Sequence, residues 1–331
     1  MVDAGVQAGT ISEAEYRPMQ GLSFSAMKHL AVSPLRYWYM EVNPQRPIKE
    51  STMEQNIGSA IHCAVLEPDK FDSRYARAID PADYPGCLKT IDDLRKWLTS
   101  HGLTPKGMVK AGLIDQVQKA DAKVPILDVL YAYHAAEHAN KVIFGVEEWK
   151  RVQGAASALL AEPRIQALLA DGQPEIPMFA TDPDSGVALK ARMDFVTPKL
   201  IFDLKSFTQQ RGRTIDESVT NAIWWEKYYQ QGVFYSFIRA LCEKREHPWT
   251  NGEFAFAFVE SEEPHETRIR VMRPKVGGEV SLLWERGRAE MRALIHRYAE
   301  CLTHFGIDRP WRYACEVDPL VDQEFPGVVW Y

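Results

Sequence analysis

Two neighbouring segments in which apolar and charged residues alternate constrain this chain more than any other feature of its sequence. Residues 187–196 contain Lys190-Ala-Arg-Met-Asp194, and residues 200–207 contain Ile201-Phe-Asp-Leu-Lys-Ser-Phe207. Because the side chains of a strand alternate between its two faces, each segment predicts a strand with charges on one face. The residues Thr197-Pro-Lys199 between them predict a tight turn, so the two strands should form an antiparallel hairpin.

The segments on either side of this hairpin predict further strands and helices. Ile176 to Thr181 predicts a strand, and Asp182-Pro-Asp-Ser-Gly186 predicts the turn that joins it to the hairpin. The other predicted elements are strands over 254–260 and 267–272, and helices over 23–33, most of 51–170 except near 81–86 and 102–107, 217–245 and 280–304. This order predicts an α/β or α+β fold with one central mixed sheet.

The overall composition excludes several classes of protein. The chain has 331 residues, of which 46% are apolar and 25% charged, as in globular rather than disordered, collagenous or coiled-coil proteins. No stretch approaches the ~20 apolar residues that span a bilayer, and residues 1–16 show no secretory signal. The five cysteines are scattered, without zinc or iron–sulfur spacing. We therefore expect a cytoplasmic protein with reduced thiols, no membrane segment and no iron–sulfur cluster.

The charge distribution leaves room for a local basic cleft. A net charge of −6 argues against binding to nucleic acid by bulk electrostatic attraction. Residues 187–214, however, contain six basic side chains and two acidic ones, a local charge of +4. Within this stretch Arg211 and Arg213 lie in a predicted loop after the third strand, where they either follow a nucleic-acid backbone or only solvate the loop.

The charges of the hairpin predict a metal site near its turn. Asp194 and Asp203 flank the turn on neighbouring strands, so both carboxylates can reach one cleft. Two close carboxylates repel each other, and Mg²⁺, which prefers oxygen ligands, would remove that repulsion. Lys205 would then supply a fixed positive charge beside the attacking water, and Lys190 and Arg192 would neutralise adjacent phosphates. The alternative is that these side chains only form ion pairs at a strand edge.

These residues and two flanking motifs resemble a known signature. Asp194 followed by Asp203-Leu-Lys205 is similar to the signature of the PD-(D/E)XK nuclease superfamily. His62 stands far upstream in a Gly-x-x-x-His sequence. Gln231 and Tyr235, four residues apart on the helix that follows, match the Q-x-x-x-Y element of RecB-type nucleases.

Within this superfamily the chain most resembles the catalytic domain of exonuclease VIII, the RecE type found in phages and prophages. Gly58 to Pro68 and Thr181 to Gly186 carry that likeness, and the opening helix from Ser23 to Pro34 resembles the N-terminal helix of RecB-type nucleases. The resemblance covers roughly residues 20 to 300. The sequence has no four-cysteine cluster, which separates it from the iron–sulfur branch.

The resemblance implies a set of metal ligands. Asp194, Asp203 and the backbone carbonyl of Leu204 would hold the metal, and His62 would be a further ligand or stand beside it. Because an imidazole is softer than Mg²⁺ prefers, such a site should also accept Mn²⁺. From its apolar segment alone, His62 would instead be expected to be a core residue.

The resemblance also implies roles for four residues around the metal. Lys205 would be the catalytic lysine, and Glu175 would match an acidic position before the core strands. Gln231 and Tyr235 would position the substrate or brace the site. From its position alone, Glu175 would be expected at the surface.

The fold and function that the resemblance implies are those of a deoxyribonuclease. We expect a restriction-endonuclease-like core over 21–306, with a helical insertion at about 85–150, a flexible N-terminus over 1–20 and an irregular tail over 307–331. The implied activity is Mg²⁺-dependent 5′ to 3′ exonuclease action on double-stranded DNA, which leaves 3′ single-stranded tails for recombination. A strand-annealing partner and a ring-like homo-oligomer are also implied. Two alternatives are a single-strand or structure-specific endonuclease in phage defence or repair, and an inactive DNA-binding module.

Overall fold

A computed structural model describes residues 5–6, 11–46 and 50–313 of the chain. Its strands are β1 (Gly5–Val6), β2 (Tyr75–Arg77), β3 (Val142–Phe144), β4 (Gln173–Thr181), β5 (Ala188–Val196), β6 (Ile201–Phe207), β7 (Phe254–Glu260), β8 (Thr267–Met272), β9 (Lys275–Val276) and β10 (Glu279–Val280). Its helices are α1 (Glu13–Tyr16), α2 (Phe24–Val32), α3 (Pro34–Tyr37), α4 (Met53–Leu66), α5 (Pro68–Arg74), α6 (Ile91–Ser100), α7 (Lys110–Ala120), α8 (Leu127–Glu137), α9 (Val146–Ala161), α10 (Pro163–Leu169), α11 (Ile215–Trp225), α12 (Tyr228–Cys242) and α13 (Leu282–Phe305). Among these described helices, none is long and apolar enough to cross a bilayer.

The central sheet contains six strands in the order β1-β4-β5-β6-β7-β8. The β6–β7 pair is parallel, whereas the other neighbours are antiparallel. A parallel pair needs a long crossover connection, and α11 and α12 provide it between β6 and β7. The predicted central mixed sheet flanked by helices is therefore confirmed.

Two hydrophobic cores lie on opposite faces of this sheet. One contains side chains of α2, α12 and α13, and the other contains side chains of α4 and α9. The alternation of β6 divides its residues between them, since Ile201 belongs to the first core and Phe202 and Leu204 belong to the second. Asp203 consequently lies on the face that α12 covers, and it is completely buried.

The α6–α8 segment, residues 88–137, has a small core of its own. Its buried side chains are Leu88, Leu94, Leu98, Leu113, Val117 and Ile126. The strands β2 and β3 lie before and after this segment in the chain and pair with each other in parallel. The sequence does not predict these two strands, because three residues are too few for an alternation to be recognised.

Three local features differ from the prediction. The helix predicted over 217–245 is interrupted, because the backbone of Lys227 is left-handed, with φ of +59°. The strand predicted to begin at Ile176 begins at Gln173, so Glu175 lies inside it. The segment predicted as a flexible N-terminus contains α1, which Ser12 caps. Residues 1–4 and 7–10 of that segment, Cys315 and most of the predicted tail lie outside the described residues.

Candidate active site

The hairpin of β5 and β6 brings the two candidate aspartates together. Phe195 pairs with Phe202 and Val196 with Ile201, so Asp194 and Asp203 stand on their strands immediately beyond the last pair of this ladder. The backbone N–H of Leu204 donates to Asp194 Oδ2 over 3.2 Å. Because the N–H and C=O of one strand residue point to the same side, the carbonyl of Leu204 lies on this edge as well.

Glu175 and His62 reach Asp194 from two other elements. In the β4–β5 pair, Glu175 is the residue opposite Asp194, and its φ of +57° interrupts the ladder between the pairs formed by its neighbours. Such a left-handed backbone is costly for a residue with a side chain, and strained residues of this kind cluster at functional sites. His62 lies on α4, with Nε2 3.0 Å from Asp194 Oδ2 and Nδ1 3.5 Å from Glu175 Oε1.

Asp203 is contacted by its strand neighbour Lys205 and by α12. Lys205 Nζ lies 2.6 Å from Asp203 Oδ2, and Gln231 Nε2 donates to Asp203 Oδ1 over 2.6 Å. The ring of Tyr228, the first residue of α12, lies 4.9 Å from Lys205 Nζ. Six of the predicted site residues thus meet at one place, which we call the acidic cluster: His62, Glu175, Asp194, Asp203, Lys205 and Gln231.

The pKa values in the acidic cluster reflect burial and close opposite charges. Burial and the charge of Asp194 raise the pKa of Asp203 to about 7. Burial also acts to raise the pKa of Asp194, but the His62 imidazolium outweighs it and lowers that pKa to about 2. Burial acts to lower the pKa of His62, but Asp194 and Glu175 raise it to about 9. The pKa of Lys205 is raised because Asp203 and Asp194 overcome its burial.

The chemistry of the cluster fits a divalent cation. Asp203 Oδ2 is buried and makes no hydrogen bond with the described residues, so its close approach to Lys205 is an ion contact without hydrogen-bond geometry. Within the described ranges, no group of three or more His, Cys, Asp or Glu side chains is arranged to hold a metal ion, and His62 and Lys205 contact the two aspartates instead. Two carboxylates, a backbone carbonyl and an imidazole are nevertheless donors that suit Mg²⁺ or Mn²⁺.

The structure places two predicted substrate-binding residues differently from the prediction. Lys190 is directed away from the acidic cluster: its Nζ donates to the carbonyl oxygens of Arg17 at 2.9 Å and Met19 at 2.7 Å, which follow α1. With these acceptors and only 8% exposure, it stabilises the N-terminal segment. Arg192 lies at the border of the cluster, where its Nε is 2.6 Å from Glu175 Oε2.

The other predicted residues lie at different depths. Arg211 and Arg213 are exposed in the loop after β6, apart from the buried cluster. Tyr235 is half-buried on α12, and burial together with the charge of Asp203 raises its pKa well above the usual value. The sequence reasoning missed Lys28 on α2, whose Nζ lies 5.9 Å from the Tyr228 ring. A single lysine on an N-terminal helix gives no sequence signal of such a position.

Comparisons with known proteins agree with this fold. The profile of a family described as "PDDEXK-like domain of unknown function (DUF3799)" matches residues 23–306. The crystal structure of a "putative exonuclease" from Eubacterium rectale aligns with a TM-score of 0.50 and 13% identity, covering 97% of this chain and 100% of its own. The structure of SSO0001 covers 45% of this chain and 67% of its own at 10% identity, and its TM-score of 0.22 carries no argument. No curated protein matches the chain.

Proposed function

Because this chain belongs to the family of PDDEXK-like domains, and so to the PD-(D/E)XK nuclease superfamily, we propose that it is a metal-dependent deoxyribonuclease. The observation that carries the proposal is the convergence of His62, Asp194, Asp203 and Lys205 in the acidic cluster. Hydrolysis of a phosphodiester joins a water oxygen to phosphorus and breaks one P–O bond, so negative charge develops on the phosphate oxygens. The cluster offers both acidic ligands and a cation at the place where such charge would need stabilisation.

The residues of the cluster divide into ligands and a positioned charge. Asp194, Asp203, the carbonyl of Leu204 and His62 would hold Mg²⁺ or Mn²⁺. When bound, such an ion activates water and stabilises charge on a phosphodiester oxygen. Lys205, fixed by its contact with Asp203, would donate to a non-bridging oxygen of the scissile phosphate.

The neighbouring side chains would orient this machinery. Glu175 faces the Nδ1 atom of His62 and would fix the ring orientation, as carboxylates do behind metal-bound histidines. Gln231 would hold the Asp203 carboxylate, and Arg192 would hold Glu175. Arg211 and Arg213, exposed beyond β6, would bind phosphates of the DNA backbone.

More specifically, we propose that the protein is a cytoplasmic enzyme of phage or prophage type that digests double-stranded DNA in the 5′ to 3′ direction. It would leave 3′ tails for a strand-annealing protein in recombination, and it would act as a ring-like homo-oligomer. The resemblance to exonuclease VIII supports these details. The related fold from Eubacterium rectale, which is named as an exonuclease, is in keeping with them.

The experiment compares linear and covalently closed duplex DNA, with the linear substrate labelled at its 5′ or 3′ ends. With Mg²⁺ we expect early release of the 5′ label, shortening of the linear strands and intact circles. With EDTA we expect no cleavage. Cutting of the circles would contradict exonuclease action and support an endonuclease, and DNA binding without cleavage in either metal would support an inactive module.

A further inference from the structure

An exposed tryptophan stands three residues before Tyr228, the tyrosine that contacts Lys205, and has no role in the chemistry proposed above. Trp225 is the last residue of α11 and is 71% exposed. The left-handed Lys227 follows, and α12 begins with Tyr228, whose ring contacts Lys205. Because three residues span at most about 11 Å, the backbone of Trp225 lies within that distance of the backbone of Tyr228.

A cation from another element borders the same surface. Lys28 on α2 lies 5.9 Å from the Tyr228 ring and 3.9 Å from Glu226 Oε2. The Tyr228 ring therefore has two ammonium groups near it, those of Lys28 and Lys205. Glu226 is mostly exposed, and exposed pairs at this separation are weak, so it leaves Lys28 able to bind an anion.

The adjacent tryptophan, Trp224, differs from Trp225 because its ring already has partners within the protein. Trp224 has the Arg286 guanidinium 4.6 Å and Lys227 Nζ 5.6 Å from its ring centre, and it stacks with Tyr229. Trp225 instead presents its ring to solvent, and Lys28 contacts Glu226, the residue that follows Trp225 in the chain. Proteins bind single-stranded nucleic acid with exposed aromatic rings near basic side chains, because the ring stacks on a base and the cation neutralises a phosphate.

We propose that Trp225 and Lys28 form a nucleotide subsite next to the scissile phosphate. An unpaired base at a DNA end stacks on Trp225, and the phosphate of that nucleotide pairs with Lys28. The inference rests on the proposed nuclease function and adds to it the binding of an unpaired end. Trp225 is a substrate-binding residue in this scheme, and the residues of the acidic cluster perform the chemistry.

The test uses a duplex oligonucleotide with a short single-stranded extension that contains 2-aminopurine, whose fluorescence falls when it stacks. In EDTA we expect Trp225→Ala to weaken binding about tenfold and to abolish the fall in fluorescence, and Trp225→Phe to retain both. Lys28→Gln should weaken binding and lower the log–log salt slope by about 0.7. The matched control is Tyr133→Ala, which removes a 73% exposed aromatic ring from α8 and should change neither.

Cleavage of the same oligonucleotide with Mg²⁺ separates the subsite from the nuclease function. We expect Trp225→Ala to raise KM about tenfold with kcat within about twofold of wild type. If the wild type cleaves and Trp225→Ala shows wild-type binding, fluorescence and KM, the subsite alone is overturned. If the wild type neither binds nor cleaves linear, extended or circular DNA, the proposed function is overturned together with the subsite.

Discussion

The acidic cluster and the α6–α8 segment use buried space in opposite ways. The cluster encloses charges: Asp203 is completely buried, and Lys205 and His62 are each about 20% exposed. The core of the α6–α8 segment is aliphatic, and its ion pairs, such as Lys119 with Asp115, lie on the surface. Buried charges are weak contributors to stability, whereas buried aliphatic side chains are strong ones. The contrast is the one expected if the cluster performs the chemistry that we propose and the core of the helical segment stabilises the fold.

This difference predicts opposite responses to mutation. Changes in the acidic cluster should remove activity with little loss of stability. Changes in the core of the α6–α8 segment should lower stability with little loss of activity.

The largest effect is expected from Asp203→Asn. Loss of this carboxylate removes a proposed metal ligand and the partner of Lys205, so kcat should fall at least ~10²–10³-fold on linear duplex DNA. Repulsion from Asp194 disappears as the Lys205 contact is lost, so Tm should stay within about 4 °C of wild type. The control is Asp216→Asn, which alters an exposed carboxylate paired with Arg268 and Arg270 and should retain activity. Wild-type cleavage by Asp203→Asn would contradict the assignment of the site.

The second largest effect is expected from Leu98→Ala in the α6–α8 segment, and it is a loss of stability rather than of activity. Leu98 is completely buried, so its truncation should destabilise this segment by about 3 kcal/mol. Hydrogen exchange should show faster exchange across α6, α7 and α8 than in the central sheet, with kcat/KM close to wild type. Leu103→Ala, at a 41% exposed position, serves as the control. A loss of activity as large as that of Asp203→Asn would show that the segment takes part in function.

A smaller effect is expected from Lys190→Met, which tests a residue that alternation alone had grouped with the cluster. Its ammonium group satisfies the carbonyls after α1, so the substitution should cost about 2 kcal/mol and be seen as a lower Tm. The folded protein should cleave DNA at nearly the wild-type rate. Lys205→Met, the matched substitution inside the cluster, should instead lose activity at least ~10²-fold. Equal losses of activity in both variants would show that Lys190 takes part in the function of the site.

Much of the sheet could be predicted because strand alternation is a local signal. The bounds of β7 and β8 agree with those predicted, and those of β5 and β6 agree within one residue. The interruption at Lys227 and the strained backbone at Glu175 could not be predicted. Left-handed backbone is usually signalled by glycine, and neither position carries one.

The site was predictable in part for the same reason. Asp194 and Asp203 stand immediately beyond the last pair of the hairpin ladder, and alternation puts Lys205 on the same face as Asp203. Alternation specifies a face but not a position along it: Lys190 is four residues, about 13 Å, from Asp194, and reaches α1 instead. His62 lies on a helix distant in sequence, so only the resemblance to a known family pointed to it.

The smallest effect concerns the ion pair of His62 with Asp194, which gives metal-free stability a pH dependence. The folded protein keeps the imidazolium proton up to about pH 9, whereas the unfolded chain releases it near 6.5. The contribution of the pair is therefore fully present below pH 6.5 and is lost as the pH rises through about 9. In EDTA, the wild type should lose about 1 kcal/mol relative to His62→Gln between pH 7 and 8. His296→Gln, at an exposed position on α13, should retain the wild-type slope, and equal slopes for wild type and His62→Gln would show that the pair is not charged.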